Sequence, residues 1–289
     1  MPRPRTILIT GCSEGGLGDA LARALHQRGQ RVIATGRNPA KIAHFKDLGI
    51  ETLILDVQSQ ESISNCVEAV AKKTGGGLDM LINNSGGGYM MPLADANLDE
   101  SRQVFELNVW AVLAVTQAFI PLLLKSEPGG VIVNNTSVSS LMPTPLSGIY
   151  NASKAAAAML TDTLRLELSP FGLKVVELKT GAVSSRFHDN QRGGRHQSLP
   201  GKSLYNVAKI EVERIMTGEM VPRKLDSDQW AKQVAADLLA TNPPRQIWKG
   251  VTTTSSWLAL KFVPFAILDI ILSKMTAMDV VKKNVNSQA

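Results

Sequence analysis

Two hydrophobic patterns alternate along the first three-fifths of the chain. Short runs rich in Val, Ile and Leu are separated by longer segments with apolar residues at helical spacing. Runs this apolar indicate strands buried on both faces, and helices between successive strands imply parallel pairing. The pattern predicts strands at residues 6–10, 31–35, 52–55, 78–83, 131–135 and 174–178, and helices at 17–28, 39–48, 60–73, 102–124 and 150–168. We therefore expect an α/β fold with a doubly wound parallel sheet.

The pattern loosens beyond residue 179. The later segments are a Gly-, Arg- and His-rich loop at 186–202 within a lid of about 186–224, a helix at 226–240, a short seventh strand at 246–250 and a more hydrophobic tail at 251–289. We expect a single domain over residues 1–250, followed by a C-terminal extension over residues 251–289.

Composition narrows the class of protein. Of 289 residues, 44% are hydrophobic and 19% are charged, which is typical of a globular protein. The formal charge of +6 is compatible with nucleic acid, a phosphorylated cofactor or an anionic membrane surface. No run interleaves Lys and Arg with aromatic residues, so we do not expect nucleic-acid binding. Cys12 and Cys66 are too few for a disulfide framework or a zinc cluster, so we expect no metal site and a cytoplasmic location.

A glycine-rich segment joins the first predicted strand to the first predicted helix. Residues 10–18 read Thr-Gly-Cys-Ser-Glu-Gly-Gly-Leu-Gly. Glycines let the backbone turn tightly and approach a pyrophosphate, which the helix N-terminus attracts. Alone the signal is weak, because such a turn is also an ordinary strand-to-helix connection. In a Rossmann-type dinucleotide site, the residues expected to contact the cofactor are Gly11, Ser13, Gly16, Leu17 and Gly18.

The end of the second predicted strand indicates which dinucleotide is bound. Sites for NAD usually carry Asp or Glu there to bind the ribose hydroxyls, but this chain reads Thr35-Gly36-Arg37-Asn38. Arg37 can pair with a 2′-phosphate, and Thr35 or Asn38 can hydrogen-bond to it. Glu14 argues mildly against this interpretation, since it adds negative charge near the phosphates. We predict NADPH as the cofactor, the alternative being that Arg37 is a solvated loop cation.

Tyr150 and Lys154 give the strongest catalytic signal. They are four residues apart on a predicted helix and share one face, so the lysine projects beside the tyrosine. A free tyrosine titrates near 10, and a cation about 4 Å away can lower that pKa toward neutrality. Ser137 is suited to hold a substrate carbonyl, and Asn108 to support Lys154 through a water. Tyr-x-x-x-Lys alone is a common exposed pair, but these four residues in this order indicate a catalytic centre.

Together these motifs resemble the short-chain dehydrogenase/reductase family over about residues 5–250. The matching residues are the turn at 10–18, Asp56 and Val57 after the third strand, Asn83-Asn84-Ser85-Gly86 after the fourth, Asn108, Ser137, Tyr150 and Lys154. The resemblance implies that Asp56 and Val57 border the adenine. It also implies that Asn83 and Gly86 border the cofactor. Lys154 would then bind the nicotinamide ribose, and Val183 and Ser185 would lie at the carboxamide.

The sequence departs from the family pattern without losing a catalytic group. The glycine turn has one extra residue, Ser85 replaces the usual Ala, and Thr180 replaces the usual Pro before Gly181. The amino-acid sequence of the turn and the presence of a hydrophobic tail most resemble the fungal and yeast NADPH-dependent 1-acyldihydroxyacetone-phosphate reductases.

This resemblance implies a reaction and a substrate class. The reaction is NADPH-dependent reduction of a ketone to a secondary alcohol, with Tyr150 as general acid. The substrate is 1-acyl-dihydroxyacetone phosphate or another lipophilic ketone, which implies a role in lipid metabolism. The open alternatives are a ketoreductase of fungal secondary metabolism, a hydroxysteroid-type dehydrogenase, and a dinucleotide-sensing protein without catalysis.

The lid and the tail each allow two interpretations. The lid cations either receive a phosphate-bearing ketone or form a solvated face; they are Arg186, Arg192, Arg195, His196 and Lys202. In the tail, Lys261, Pro264 and Asp269 exclude a membrane-spanning helix.

The tail is either an interfacial anchor or a structural helix. As an anchor on endoplasmic reticulum or lipid droplets, it would place apolar residues in lipid and cations at anionic headgroups; they are Trp257, Phe262, Phe265 and Ile270, and Lys249, Lys274, Lys282 and Lys283. As a structural helix, it would cover the substrate mouth or a subunit interface in a homo-oligomer.

Overall fold

The computed structural model describes residues 3–186, 198–219 and 223–288. Within this part of the chain the strands are β1 (Thr6–Ile9), β2 (Arg31–Gly36), β3 (Glu51–Ile54), β4 (Met80–Asn83), β5 (Val131–Asn135), β6 (Lys174–Thr180) and β7 (Gln246–Lys249). They form one sheet in the order β3-β2-β1-β4-β5-β6-β7, and every neighbouring pair is parallel. The predicted doubly wound parallel sheet is confirmed.

Helices connect the strands and follow the last one. In the described residues they are α1 (Leu17–Gln27), α2 (Gln60–Thr74), α3 (Leu98–Phe105), α4 (Ala111–Leu123), α5 (Gly148–Leu168), α6 (Lys209–Arg214), α7 (Ser227–Leu238), α8 (Thr253–Phe262), α9 (Phe265–Met275) and α10 (Met278–Gln288). The caps follow sequence rules, since the carboxylate of Asp226 accepts from the backbone N–H groups of Asp228 and Gln229 at the start of α7.

The segment after β2 differs from its prediction. An α-helix was expected over residues 39–48, but Pro39–Lys46 is a 3₁₀-helix capped by the Asn38 side chain. Its two buried apolar residues, Ile42 and Phe45, are three positions apart. A spacing of three places both residues on one face of a 3₁₀-helix.

The helix predicted over residues 102–124 is longer and interrupted. It begins as α3 at Leu98, after the side chain of Asn97 has capped two backbone N–H groups. A single π-helical turn, Glu106–Trp110, then separates α3 from α4. Such turns are frequent at functional sites, and this one carries Asn108.

Two hydrophobic layers sandwich the sheet. Alternate residues of β1 face opposite sides, so Ile7 and Ile9 pack with α1 and with Trp230 of α7. Leu8 packs on the other side, where α2, α4 and α5 contribute buried residues such as Phe119. Each large side chain buried in this way contributes about 1.5–3 kcal/mol, and together the layers fix the sheet whose carboxyl edge carries the candidate site.

A third apolar cluster joins the lid segment to the tail. Its buried members are Tyr89, Met91, Leu146, Leu199, Ala208, Val212 and Met216. Met278, Val280 and Val281 of α10 pack against it, and Asn284 Nδ2 donates to the carbonyl of Val207 at 2.7 Å. The last helix is therefore part of the folded core, as one of the two interpretations of the tail required.

The helices of the tail are too short to span a membrane. Helices α8, α9 and α10 have 10, 11 and 11 residues, and a bilayer core needs about 20. Among the described residues, one helical run, Leu98–Leu123, is long and apolar enough to cross a membrane. It contains Asn108 and packs on the sheet, as a core helix does.

Candidate active site

The candidate residues gather at the carboxyl edge of the sheet. In the strand order, β1 lies between β2 and β4, so the connections that leave β1 and β4 diverge. Such a switch point opens a crevice, and α/β sheets bind dinucleotides there. Thr10 follows β1 and Asn84 follows β4, so both residues lie at this crevice.

The glycine-rich turn leaves no room for side chains at two positions. Gly11 has a φ of +72°, and a Cβ added to it would lie 2.8 Å from Ser85 Oγ. A Cβ on Gly18 would lie 2.5 Å from the carbonyl oxygen of Gly11 and 2.6 Å from Asn84 Nδ2. Glycine is therefore required at both positions, and α1 begins directly against the turn.

The start of α1 is suited to a phosphate. Gly16 is its N-cap and provides no side-chain cap, so the first N–H groups of the helix can bind an anion. Ser13 and Leu17 flank this position and are half-buried. The turn thus fits the pyrophosphate of a dinucleotide.

Gly15, between Gly11 and the start of α1, also has a left-handed backbone conformation. Its φ is +74°, its N–H donates to Asp19 Oδ2 at 3.0 Å, and its carbonyl accepts from the backbone N–H of Arg186 at 3.2 Å. The Arg186 side chain packs against Gly15, with Nε 3.0 Å from the position of an added Cβ. This lid cation therefore lies at the glycine turn.

Polar side chains tie the ends of four strands together. Asn84 Nδ2 donates to the carbonyl of Thr10 at 2.9 Å, and Thr10 Oγ1 accepts from the N–H groups of Asn84 and Ser85. Asn135 Nδ2 donates to Asn84 Oδ1 at 3.0 Å, and Thr180 Oγ1 donates to Asn135 Oδ1 at 2.6 Å. No role was predicted for these residues from the sequence. Their shared position, at or just beyond the carboxyl ends of strands, is the signal that could have found them.

Two residues predicted to lie at the cofactor have side chains that point into the molecule. Asn83 is buried, and its Nδ2 donates to Thr116 Oγ1 at 2.9 Å and to Asn134 Oδ1 at 2.8 Å. It joins β4 to α4 and β5 inside the molecule. Thr35 is also buried, and its hydroxyl donates to the carbonyl of Ile9 at 3.0 Å. Thr35 therefore cannot bind a 2′-phosphate, because its side chain points into the sheet.

Arg37 lies at the end of the crevice where the adenine is expected. Arg37 is exposed directly after β2, and the neighbouring Asn38 uses its Oδ1 to cap the 3₁₀-helix. Asp56 and Val57 follow β3 by two and three residues. Asp56 Oδ1 accepts from the N–H of Gln58, and Val57 is buried. These residues form the outer end of the crevice.

Ser137, Tyr150 and Lys154 come together at the inner end. Ser137 stands just beyond β5, and its hydroxyl hydrogen-bonds to the phenol of Tyr150. Tyr150 and Lys154 lie one turn apart on α5, with Lys154 Nζ 6.0 Å from the tyrosine ring centre. Nζ donates to the carbonyl of Asn135 at 2.9 Å, which anchors the ammonium beside β5.

The electrostatics of this trio differ from the prediction. Burial raises the pKa of Tyr150 above its usual value, and the hydrogen bond from Ser137 opposes that rise. Lys154 was expected to lower the pKa of Tyr150, but its own pKa falls to about 8 because burial penalises its charge. Desolvation outweighs attraction here, since Lys154 is buried and Tyr150 is half-buried.

Asn108 organises the loop beneath Lys154. It is buried in the π-helical turn, where its Oδ1 accepts from the N–H of Gly87 at 2.9 Å. Its Nδ2 donates to the carbonyl of Gly87 at 2.8 Å and to Ser153 Oγ at 3.0 Å. A Cβ on Gly86 would lie 3.2 Å from Asn108 Oδ1 and 3.4 Å from Lys154 Nζ. Gly86 thus separates the two side chains, and support of Lys154 by Asn108 through a water stays a prediction.

The segment after β6 borders the crevice on the other side. Val183 bridges to Leu225, and Ser184 N–H donates to the carbonyl of Leu225 at 2.8 Å. Ser185 follows as a half-buried residue. Of the lid cations, Arg186 and Lys202 are described, and Arg192, Arg195 and His196 lie outside the described residues.

The described residues contain neither a candidate metal site nor a reactive thiol. No group of three or more His, Cys, Asp or Glu side chains that could hold a metal occurs there. Cys12 and Cys66 are buried, and burial raises the pKa of each thiol to about 12. Both are therefore protonated and unreactive near neutral pH.

Comparisons with known proteins agree with this geometry. A family model described as short chain dehydrogenase matches residues 5–195. A short-chain dehydrogenase/reductase of Pestalotiopsis microspora is 44% identical over 97% of both chains. The NADPH-dependent 1-acyldihydroxyacetone phosphate reductase of Schizosaccharomyces pombe is 37% identical over 88% of both chains.

A solved structure shows the same fold at lower identity. The short chain dehydrogenase of Burkholderia cenocepacia, in complex with NADP, superimposes with a TM-score of 0.72. The match covers 93% of this chain and 98% of that one, at 23% sequence identity.

Proposed function

The chain belongs to the short-chain dehydrogenase family, and we propose that it uses NADPH to reduce a lipophilic ketone to a secondary alcohol. It is an NADP(H)-dependent oxidoreductase by its relatives. The observation that carries the proposed reaction is the meeting of Ser137, Tyr150 and Lys154 at the inner end of the crevice.

In this proposal each side chain has one task. When bound, NADPH supplies the hydride that adds to the carbonyl carbon. The Ser137 hydroxyl holds the carbonyl oxygen, and the Tyr150 phenol donates its proton to that oxygen. Because burial raises the pKa of Tyr150, the phenol is protonated at neutral pH, which is the form that a general acid needs. The Lys154 ammonium stabilises the phenolate that remains, and it would hydrogen-bond to the nicotinamide ribose of a bound cofactor.

The cofactor would lie along the crevice from Arg37 to Ser185. The residues proposed to hold it are Gly11, Ser13, Gly16, Leu17, Gly18, Arg37, Asp56, Val57, Gly86, Lys154, Val183 and Ser185. Arg37 would pair with the 2′-phosphate, which accounts for the choice of NADPH over NADH.

The apolar cluster beside Tyr150 supports a lipophilic substrate. Ile149, the residue before Tyr150, packs against the cluster that includes Met91, Leu146 and Met216. Met278 of α10 packs against the same cluster. An acyl chain or a fused ring system would bury apolar surface here, whereas a small polar ketone would not.

The position of Arg186 favours a second candidate within this class. The proposed substrate 1-acyl-dihydroxyacetone phosphate needs a cation for its phosphate. Arg186 lies against Gly15 at the cofactor turn, so this cation is placed toward the dinucleotide rather than toward a substrate phosphate. A ketone without phosphate, such as a polyketide-like or steroid ketone, is therefore the second candidate.

A panel of ketones distinguishes the candidates. Purified enzyme is mixed with NADPH and with 1-acyl-dihydroxyacetone phosphate, steroid ketones or polyketide-like ketones, and NADPH oxidation is followed by absorbance. Tyr150→Phe enzyme is the control for each substrate. Turnover that requires Tyr150 identifies the substrate class. If NADPH binds tightly but no ketone is reduced, the dinucleotide-sensing alternative replaces the reductase.

We also propose a peripheral site for lipid on α8 and α9, consistent with a cytoplasmic enzyme at endoplasmic reticulum or lipid droplets. Phe262 and Phe265, at the break between the two helices, are 74% and 78% exposed. Lys261 Nζ lies 4.1 Å from the Trp257 ring centre, and Lys274 lies in the last turn of α9. Exposed aromatic residues flanked by lysines are suited to an anionic lipid surface.

A further inference from the structure

A buried ion pair lies on β6 beside the segment that carries Ser137. The side chains of Glu177 and Lys179 are 1% and 3% exposed, and Glu177 Oε1 is 2.5 Å from Lys179 Nζ. The residues are two positions apart on the strand, so both side chains project from the same face. Neither takes part in the reaction proposed above.

Stability alone does not account for this pair. Removing two charges from water is costly, and apolar residues of similar volume often replace a buried pair without loss of stability. Here both charges have further polar partners besides each other. Glu177 also accepts from Thr136 Oγ1 at 2.8 Å and from Gln246 Nε2 at 2.9 Å. Lys179 Nζ also donates to Ser140 Oγ at 3.2 Å and faces the Trp248 ring.

The partners of the pair stand on both sides of Ser137. Thr136 precedes Ser137, and its hydroxyl is held by Glu177. Ser140 accepts from Lys179 and donates to the carbonyl oxygen of Ser137 at 2.7 Å. The two contacts restrain the backbone of Ser137 from either end, at the point where β5 passes into the 3₁₀ turn Val138–Ser140.

This restraint bears on the Ser137 hydroxyl. Ser137 Oγ accepts from the N–H of Ser139 at 3.1 Å, so the hydroxyl proton is directed away from the turn, toward Tyr150. A shift of the backbone at Ser137 moves this oxygen relative to the phenol. A misplacement of about 1 Å in a reactive group can cost about a hundredfold in rate.

We infer that Glu177 and Lys179 are positioning residues that hold Ser137 in line with Tyr150. The inference rests on the role proposed for Ser137 in ketone reduction. It extends the reactive centre into the sheet, to a pair of charges that never contacts the substrate.

The test replaces both charges at once. In Glu177→Leu/Lys179→Met the side-chain volumes stay similar, and the partners keep other bonds. The Thr136 hydroxyl can donate to the carbonyl of Leu178, Ser140 keeps its bond to Ser137, and Gln246 is half-buried and reaches water. We expect the urea midpoint to stay close to wild type and the dissociation constant of NADPH to change by less than about twofold. The kcat for ketone reduction should fall by about tenfold or more.

A double-mutant cycle shows whether the loss passes through Ser137. When the same two substitutions are added to Ser137→Ala, kcat should fall no further, because the hydroxyl that they position is already absent. Losses that multiply would mean that the pair acts elsewhere. A kcat within twofold of wild type in Glu177→Leu/Lys179→Met would make the pair structural only.

Controls separate this inference from the proposed function. If Ser137→Ala itself retains full turnover, the role proposed for Ser137 fails, whatever the pair does. The half-buried pair Arg31 and Glu51, 2.7 Å apart between β2 and β3, provides a matched control. Arg31→Met/Glu51→Leu should leave kcat unchanged. Lys179→Met alone leaves the Glu177 charge buried without its cation and should be less stable than the double variant, so restored stability in the double variant confirms that it folds correctly.

Discussion

At the scale of single residues, the phenol of Tyr150 carries the largest expected effect. Tyr150→Phe removes one hydroxyl and leaves the ring to pack on α5, so the fold and the crevice should persist. We expect turnover to fall by about a hundredfold or more, since general acids contribute effects of that order. The dissociation constant of NADPH, measured by fluorescence titration, should change less than about twofold. Turnover within tenfold of wild type would remove Tyr150 as the acid.

The buried ammonium of Lys154 should lower the free energy of unfolding near neutral pH. Its pKa is about 8 in the folded state and 10.5 ordinarily, so the unfolded chain binds more protons between these values. Stability of the wild type therefore rises with pH across that window, and the full cost of the buried charge applies below pH 8. The difference between the two pKa values corresponds to a destabilisation of about 3 kcal/mol. The hydrogen bond from Lys154 to Asn135 offsets about 1 kcal/mol of it, which leaves a net cost of about 2 kcal/mol.

The variant Lys154→Met tests this account. It should raise the free energy of unfolding at pH 7 by about 2 kcal/mol while abolishing turnover, and the gain should shrink as pH approaches 10.5. Urea unfolding at several pH values measures both trends. A variant less stable than wild type at pH 7 would contradict the assignment of a desolvated ammonium.

Arg37 should decide between the two dinucleotides. Loss of a charge-assisted bond to the 2′-phosphate costs about 1.5–3 kcal/mol, so Arg37→Ala should weaken NADPH binding by about tenfold to a hundredfold. NADH, which lacks that phosphate, should bind almost unchanged. Arg186→Ala is the control. The Arg186 side chain lies at the turn proposed to bind the pyrophosphate, which both dinucleotides share, so this change should not discriminate between NADPH and NADH. Calorimetric titrations that show equal losses in Arg37→Ala would exclude a contact with the 2′-phosphate.

The sequence identified the reactive residues more readily than those that face away. Tyr150 and Lys154 were predictable because helical spacing alone places them on one face. The side chains of Thr35 and Asn83 point into the molecule, because residues at the end of a buried strand can face either the crevice or the interior. The neighbouring strands decide that direction, and local pattern does not contain them.

At the scale of elements, the two irregular helices explain what pattern analysis missed. The 3₁₀-helix Pro39–Lys46 and the π-helical turn Glu106–Trp110 have apolar spacings compatible with an α-helix. Packing against the sheet selects the tighter or wider winding. The direction of Asn108 depends on this choice, so its bonds to Gly87 and Ser153 could not be derived from spacing.

The junction of β1 and α1 should tolerate no added carbon at Gly18. In Gly18→Ala, the new Cβ would meet the carbonyl of Gly11 and the amide of Asn84, which forces α1 away from the turn. We expect the dissociation constants of NADPH and NADH to rise together by about tenfold or more, because the pyrophosphate site opens. Gly201→Ala, with no atom within 4 Å of its Cβ, should change neither. Wild-type affinity in Gly18→Ala would show that the turn is not the phosphate site.

At the scale of the whole molecule, the exposed face of α8 and α9 should govern attachment to lipid. Phe262→Ser/Phe265→Ser removes apolar surface worth about 1.5–3 kcal/mol per side chain, so binding to anionic liposomes should fall by tenfold or more. Turnover of a small soluble ketone should persist, because neither residue belongs to the apolar cluster beside Tyr150. Wild-type binding should weaken with salt, since lysines flank the site.

A matched variant and a second measurement keep this test specific. Phe171→Ser removes an equally exposed phenylalanine after α5 and should leave liposome binding unchanged. If the wild type ignores liposomes and Phe262→Ser/Phe265→Ser instead changes the oligomeric state in gel filtration, the face is a subunit contact.

The packing of α10 also sets an order of events during synthesis. Strands β1 to β5 and their helices leave the ribosome first and already contain most of the crevice for the dinucleotide. Met278 and Val281, which pack against the third apolar cluster, belong to the latest-made of the described helices. A nascent chain can therefore form its nucleotide crevice before α10 has been made, and α10 then completes the third apolar cluster by packing onto the lid segment.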